Sequence, residues 1–219
     1  KEALRQAGLS QRCAYLKLKE RDIAAWQDRL KASAEAPTRE QWAFLQRVMD
    51  RCQQENIELN QRSNVYFASK SGNIRSTLSE PVRDTLFGIP GCGKSHCIKL
   101  IQRFFEECLE WEHGLQFQFL AQQNSMARLI CGQTINSWGN IPVNKEVGRR
   151  NDIARSQGGD VDELFLNAMG MRWVIIDECT TGSPGLYGAL DAALRRACMS
   201  HPYAKEASRP RPFGGMNII

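Results

Sequence analysis

The sequence predicts an α/β fold in which a parallel β-sheet is covered by helices on both faces. Four short apolar runs are predicted to be buried strands, at 85–87, 116–121, 172–176 and 216–219. Amphipathic segments follow them and are predicted to be helices, at 94–111, 125–130, 161–169 and 185–199. Because strands and helices alternate along the chain, consecutive strands are expected to run parallel. The charged stretch 144–159 is predicted to be a surface excursion.

The chain before the first strand is predicted to be mostly helical. One helix is predicted over 1–35 and a second over 39–60, because apolar residues recur at helical spacing in both. Thr38 is a predicted N-cap, and Gln41 stands three residues later, as in a capping box. The polar stretch 61–83 shows no period and is predicted to be a linker. These features divide the chain into a helical leader, 1–36, and a main domain, 37–219.

Composition favours one sizeable domain without a membrane-spanning segment. The chain has 219 residues, 42% of them hydrophobic, and no apolar run approaches the roughly 20 residues that cross a bilayer. The formal net charge of +5 permits a polyanionic partner. None of the eight cysteines forms a C-x-x-C pair, and no apolar signal segment stands at the N-terminus. The thiols are therefore predicted to be reduced, in an intracellular protein that is not secreted.

One segment, which we call the phosphate loop, carries the pattern of a nucleotide-binding site. Residues Gly88–Ser95 match G-x-x-x-x-G-K-[ST] at every fixed position, between a predicted strand and a predicted helix. Glycines let the backbone wrap a phosphate, and the Ser95 hydroxyl is a Mg²⁺ ligand. Lys94 is assigned a catalytic role because its charge neutralises the γ-phosphate. The predicted ATP-binding residues of this segment are Gly88, Ile89, Pro90, Gly91, Cys92, Gly93, Lys94, Ser95 and His96.

Asp177 and Glu178 form an acidic pair directly after a buried apolar run. At the carboxyl end of a parallel strand, Asp177 is expected to hold Mg²⁺ through water. Glu178 is expected to polarise the attacking water as the catalytic general base. A phosphate loop followed by such a pair predicts hydrolysis of ATP or GTP.

Four blocks of the sequence resemble the Pif-type DNA helicases, relatives of bacterial RecD. Residues 121–142 read A-Q-Q-N-S-M-A-R-L-I-C-G-Q-T-I-N-S-W-G-N-I-P and are similar to the family's A-x-T-G-x-A-A-x-x-I-x-G-x-T-I-H-S-F-x-G-I. Asn136 stands where that family has His. The acidic pair lies in I-I-D-E-C-T at 175–180, similar to I-I-D-E-x-S, and P-F-G-G at 212–215 resembles the segment that leads into the next family motif. Thr38–Gln41 is similar to the adenine-recognising Gln motif.

The resemblance implies a RecA-like P-loop NTPase domain, the first of two in an ATP-dependent motor on single-stranded DNA, incomplete at its C-terminus. It implies ATP and Mg²⁺ as cofactors, with Gln41 selecting adenine. It also implies that Thr134 and Asn136 contact single-stranded DNA, where Trp138 would stack on a base. The implied role is in DNA repair, recombination or telomere maintenance, with a nuclear location in a eukaryote.

Several alternatives remain open at this point. Gln41 is equally explained as a capping residue, and Trp138 as a buried aromatic. Another phosphate-loop ATPase, such as a conjugative relaxase-helicase or an AAA-type machine, would carry the same loop. A nucleotide-binding module that does not turn over would carry it as well.

Overall fold

A computed structural model describes residues 20–68, 78–89, 91–142, 160–198, 201–206 and 209–219. The described residues divide into two compact units, a helical unit that ends at Glu112 and a sheet unit that begins at His113. The excursion predicted over 144–159 and residues 1–19 of the first predicted helix lie outside the described residues.

The described residues of the helical unit form three α-helices: α1 at Glu20–Lys31, α2 at Arg39–Ala68 and α3 at Lys94–Arg103. Helix α2 runs eight residues beyond the predicted end at Asn60, so the linker predicted over 61–83 is wrong for 61–68. No glycine or proline stands in that stretch to end the helix. Helix α3 gives way to a π-helical turn at Phe104–Cys108, where the sequence predicted a helix continuing to 111.

The core of the helical unit joins α1 to the π-helical turn. Trp26 of α1 is buried with its ring centroid 5.4 Å from that of Phe104, and its Nε1 donates a hydrogen bond to Glu107 Oε2 at 3.0 Å. Phe104 and Phe105 are both fully buried, and Phe105 lies 5.0 Å from the Trp111 ring. In its described part, the predicted leader therefore packs with the first helices of the predicted main domain.

The sheet unit is an α/β structure with a parallel sheet, as predicted. Its described residues form four strands in that sheet, and the short one at Gln133–Thr134 was not predicted. Its strands, β1 at Phe117–Ala121, β2 at Gln133–Thr134, β3 at Trp173–Asp177 and β6 at Asn217–Ile218, lie in the order β2-β1-β3-β6. In the β1–β3 register, Phe117 faces Trp173 and Ala121 faces Asp177. Both strands are buried almost throughout, which explains their continuous apolar runs.

Four helices belong to the described part of the sheet unit: α4 at Asn124–Leu129, α5 at Ile135–Trp138, α6 at Asp160–Ala168 and α7 at Pro184–Ala197. One apolar cluster joins the sheet to these helices, including Leu120, Trp138, Leu164, Val174, Leu190, Leu194 and Met216. An antiparallel hairpin, β4 at Lys205–Glu206 with β5 at Arg209–Pro210, was not predicted, because its exposed residues carry no apolar alternation.

The strand predicted over 85–87 is wrong. Residues 84–89 form neither helix nor strand. Phe87 is 78% exposed, although an apolar residue in a buried strand was expected there. A strand exists only where a neighbour takes up its backbone hydrogen bonds, and three residues supply few of them.

No helix in the described ranges combines the length and apolar character needed to cross a membrane.

Candidate functional site

The phosphate loop leads directly into the first turn of helix α3. Gly91 and Gly93 have φ angles of 81° and 89°, a left-handed conformation that glycine adopts without a steric penalty. Gly93 is the N-cap of α3, and among the described residues no side chain caps this helix end. Its first N–H groups are therefore left for another acceptor, and the positive end of the helix dipole favours an anion there.

The Lys94 ammonium folds back over the phosphate loop. Its Nζ donates to the carbonyl oxygens of Gly88 at 2.7 Å and Ile89 at 3.1 Å. The Cys92 thiol is exposed and lies 4.0 Å from the same Nζ. A cation held by carbonyl oxygens at the mouth of a glycine loop can exchange these acceptors for phosphate oxygens.

The other predicted members of this site flank the loop. Ser95 is exposed in the first turn of α3, and His96 beside it is partly exposed. Ile89 is 77% exposed, and Pro90 lies outside the described residues. Mg²⁺ that binds phosphates usually keeps several water ligands and takes only one or two ligands from the protein. An exposed hydroxyl at the start of α3 is suited to be one of them.

Gln41 forms the predicted capping box at the start of α2. The Thr38 N–H donates to Gln41 Oε1 at 2.9 Å, and the Gln41 N–H donates to Thr38 Oγ1 at 3.4 Å. The Gln41 Nε2 also donates to the Gly93 carbonyl oxygen at 3.3 Å. The side chain is thus a capping residue that reaches the phosphate loop.

The acidic pair stands where β3 ends. Asp177 is the last residue of β3 and is partly exposed, while Glu178 is exposed in a left-handed conformation with φ 51° and ψ 47°. The Asp177 Oδ1 accepts the Glu178 N–H at 3.0 Å, and the Glu178 carbonyl oxygen accepts the Thr181 hydroxyl at 2.8 Å. Glu178 is therefore exposed at a sharp turn that directly follows β3.

Tyr187 of α7 braces the turn after the acidic pair, and no motif in the sequence indicated this role. Its hydroxyl donates to the Cys179 carbonyl oxygen at 2.6 Å. A Cβ added to Gly182 would lie 2.4 Å from the Tyr187 hydroxyl oxygen, so only glycine fits against the ring. Burial raises the pKa of the Tyr187 hydroxyl, which keeps the proton for this hydrogen bond.

A second pair of residues braces the segment before β6. Asp191 of α7 accepts the Phe213 N–H, and Arg195 donates its Nε to Asp191 Oδ2 at 2.8 Å. Arg195 also donates to the Pro210 carbonyl oxygen at 3.1 Å. The i, i+4 spacing of Asp191 and Arg195 on a helix predicts their ion pair from the sequence. It does not predict their hydrogen bonds to the backbone of Phe213 and Pro210.

The residues predicted to contact DNA have local partners in the sheet unit. The Thr134 hydroxyl oxygen accepts the Ser137 N–H at 3.1 Å and so caps α5. The Asn136 Nδ2 donates to the Ile141 carbonyl oxygen at 3.1 Å. Trp138 is 2% exposed in the apolar cluster, which favours the alternative of a buried aromatic over stacking on a base. The aromatic residue is buried because α5 lays it against the helices and strands that share this cluster.

Cysteines and acidic residues do not assemble a preformed metal centre. In the parts of the chain that the structure describes, five cysteines are free thiols: Cys92, Cys97, Cys131, Cys179 and Cys198. Within those same residues, no group of three His, Cys, Asp or Glu side chains is arranged to hold a metal ion. A Mg²⁺ ion that arrives with a nucleotide needs only one or two protein ligands. The Ser95 hydroxyl of the helical unit and the Asp177 carboxylate of the sheet unit each carry oxygen atoms of the kind that Mg²⁺ binds.

The described fold therefore defines an α/β protein with a four-stranded parallel sheet, a glycine-rich loop before a helix and an acidic pair after a strand. No protein-family model and no curated protein matches the chain. Among solved structures, the chain is similar to unliganded Pif1 from a Bacteroides species, with 21% sequence identity and a TM-score of 0.34. The match covers 48% of this chain and 32% of that chain, so it spans about a third of that protein's length.

Proposed function

We propose that this chain binds ATP with Mg²⁺ through the phosphate loop and belongs to a P-loop NTPase of the RecA-like class. The observation that carries the proposal is the loop itself. Two left-handed glycines precede an uncapped helix, and Lys94 lies across the loop on the Gly88 and Ile89 carbonyl oxygens. This combination of backbone donors, helix dipole and one flexible cation is what a polyphosphate needs.

Each residue of the site has a separate role in this proposal. Lys94 binds the β- and γ-phosphates and neutralises the charge that develops on transfer. Ser95 and Asp177 supply oxygen ligands for Mg²⁺, which polarises the phosphates when bound. Glu178 accepts a proton from the attacking water, a role that its exposed carboxylate permits.

The work coupled to hydrolysis is proposed to be movement along single-stranded DNA. This part rests on the ordered resemblance of residues 38–41, 121–142, 175–180 and 212–215 to the Pif-type helicases. Thr134 and Asn136 are both partly exposed, and Asn136 retains one amide N–H beyond its bond to Ile141. Trp138 is not part of the proposed DNA contact, because it is buried.

Lys94→Ala tests nucleotide binding. The variant should bind Mg²⁺–ATP at least about tenfold more weakly in a calorimetric titration, close to 1.4 kcal/mol, because it loses the cation. Its melting temperature should match the wild type, since the partners of the Nζ in the described residues, the Gly88 and Ile89 carbonyl oxygens and the Cys92 thiol, all lie within the loop. Lys99→Ala, an exposed lysine on the same helix, is the matched control and should bind normally. An unchanged affinity of Lys94→Ala for Mg²⁺–ATP would contradict the proposal.

Alkylation of cysteines locates the bound nucleotide independently. Cys92 and Cys131 are both exposed, and only Cys92 lies in the phosphate loop. Mg²⁺–ATP should slow the reaction of iodoacetamide with Cys92 by about tenfold or more at saturation, while Cys131 reacts at an unchanged rate. Peptide mass spectrometry reads both thiols in one sample. Protection of neither thiol, or of both equally, contradicts binding at this loop.

A further inference from the structure

The Gln41 side chain joins two parts of the helical unit through opposite ends of one amide. Its Oε1 accepts the Thr38 N–H, while its Nε2 donates to the Gly93 carbonyl oxygen. These partners fix the orientation of the amide, because Thr38 offers a donor and Gly93 offers an acceptor. A glutamate would complete the same capping box but could not donate to Gly93.

The Gly93 carbonyl is the group through which Gln41 acts on the loop. That oxygen also accepts the Cys97 N–H at 3.1 Å, the first hydrogen bond of α3. A Cβ added to Gly93 would lie 2.3 Å from Gln41 Nε2, so the amide rests directly on the glycine backbone. The Gly93 carbonyl oxygen is thus held by two hydrogen bonds, one from the Cys97 N–H of α3 and one from the Gln41 side chain.

The Gly93 carbonyl and the Lys94 N–H belong to one planar peptide group. In a trans peptide the C=O and N–H bonds point in opposite directions, so fixing the oxygen fixes the direction of the Lys94 N–H. This N–H is the first of the uncapped donors at the start of α3. Orienting it before a phosphate arrives lowers the cost of ordering the loop on binding.

We propose that Gln41 is a positioning residue of the phosphate loop, acting on the polyphosphate part of the nucleotide whatever the base. This inference rests on the proposed function and extends it to a residue of α2. The inference predicts that removing the Gln41 amide weakens the binding of ATP, GTP and inorganic tripolyphosphate alike. Adenine recognition predicts weaker binding of ATP alone.

Gln41→Met tests the inference, because methionine has a similar length and no polar atom to bond Gly93. Thr38→Ala is the matched control, since it weakens the same capping box without touching the phosphate loop. In titrations with ATP, GTP and tripolyphosphate, each with Mg²⁺, we expect Gln41→Met to bind all three about fivefold more weakly, as for one lost hydrogen bond. Thr38→Ala should stay within twofold of the wild type.

A second measurement follows the loop without any nucleotide. Cys92 adjoins Gly93, so a loosened loop should raise its rate of alkylation by iodoacetamide in Gln41→Met, whereas Cys131 should react as in the wild type. Loss confined to ATP would overturn the inference in favour of adenine recognition. An equal loss in Thr38→Ala, or an unchanged Cys92 rate, would overturn it in favour of a purely capping role. If the wild type binds none of the three ligands, the proposed function fails, and the Cys92 rate alone decides whether Gln41 orders the loop.

Discussion

Glu178, the proposed general base, has a backbone conformation that is unfavourable for a residue with a side chain. A left-handed conformation costs a non-glycine residue about 1 kcal/mol, and Glu178 adopts it with φ 51°. The Thr181 N–H and hydroxyl both bond its carbonyl oxygen, so the surrounding turn holds it there. A strained residue kept in place by its neighbours is typical of a functional site.

Replacing Glu178 separates that strain from the chemistry. Glu178→Gly should raise the free energy of unfolding of the sheet unit by about 0.5–1 kcal/mol, because glycine removes the steric cost. Glu178→Gln keeps the Cβ and should leave stability unchanged. Both should lower ATP hydrolysis by about 10²-fold, since neither has a carboxylate to accept the proton. Urea unfolding and phosphate release measure the two effects.

Two results would contradict this division of roles. A destabilised Glu178→Gly protein would mean that the glutamate side chain stabilises the turn. Wild-type hydrolysis by Glu178→Gln would mean that another group accepts the proton.

At the scale of elements, the π-helical turn ties α1 to α3 through one carboxylate. Glu107 accepts Arg103 Nε at 2.8 Å and Trp26 Nε1 at 3.0 Å. The hydrogen bond from Arg103 lowers the pKa of Glu107, with a smaller contribution in the same direction from Trp26. Folding therefore favours the ionised carboxylate over the protonated one.

This linkage predicts how the stability of the helical unit depends on pH. A lowered pKa contributes stability that is present above the ordinary Glu value near 4.5 and is lost as the pH falls through the lower folded value. Glu107→Gln should be less stable than the wild type by about 0.5 kcal/mol at pH 7, typical of a partly exposed pair. The difference should shrink in urea titrations as the pH falls below the ordinary Glu value.

Glu106→Gln is the matched control for that experiment. It removes the same charge from the neighbouring residue, whose described partner is Gln102 rather than Trp26 or Arg103. If both variants show the same pH dependence, net charge and not the Glu107 contacts controls stability in acid.

At the scale of the whole molecule, the net charge of +5 suits a polyanion but selects no particular one. If the chain binds single-stranded DNA, log affinity should fall linearly with log salt concentration, by roughly 0.7 for each phosphate contacted. Fluorescence anisotropy with a labelled oligonucleotide measures this slope. The absence of binding at low salt would contradict the proposed DNA partner while leaving nucleotide binding intact.

Asn136→Ala tests the position of the proposed DNA contact. The variant should bind single-stranded DNA about threefold to tenfold more weakly and bind ATP normally, because it loses one side-chain amide. Ser137→Ala is the control, since it keeps the backbone N–H that Thr134 accepts and removes only an exposed hydroxyl. If the two variants weaken DNA binding equally, the Asn136 amide is not the DNA contact.

The α/β class was predictable because β1 and β3 are five residues each, mostly apolar and buried, so their sequence reports their environment directly. The prediction of a strand at 85–87 was wrong because a run of three residues is too short to indicate whether a neighbouring strand is there to pair with it. Trp138 shows a similar limit, because its type is compatible with a core or with stacking, and only the packing of α5 decides. The second bond of Gln41, to Gly93 fifty-two residues away, has no local signature.

The parallel order of the sheet also has a consequence for synthesis on the ribosome. Strand β1 cannot pair with β3 until residues 122–172 have been made, and β3 pairs with β6 only after residue 218. Such distant pairings close slowly, because a long loop must be ordered before any contact is gained. The apolar face of β1 therefore remains exposed while the nascent chain lengthens, and this interval is when a chaperone that binds apolar segments would act.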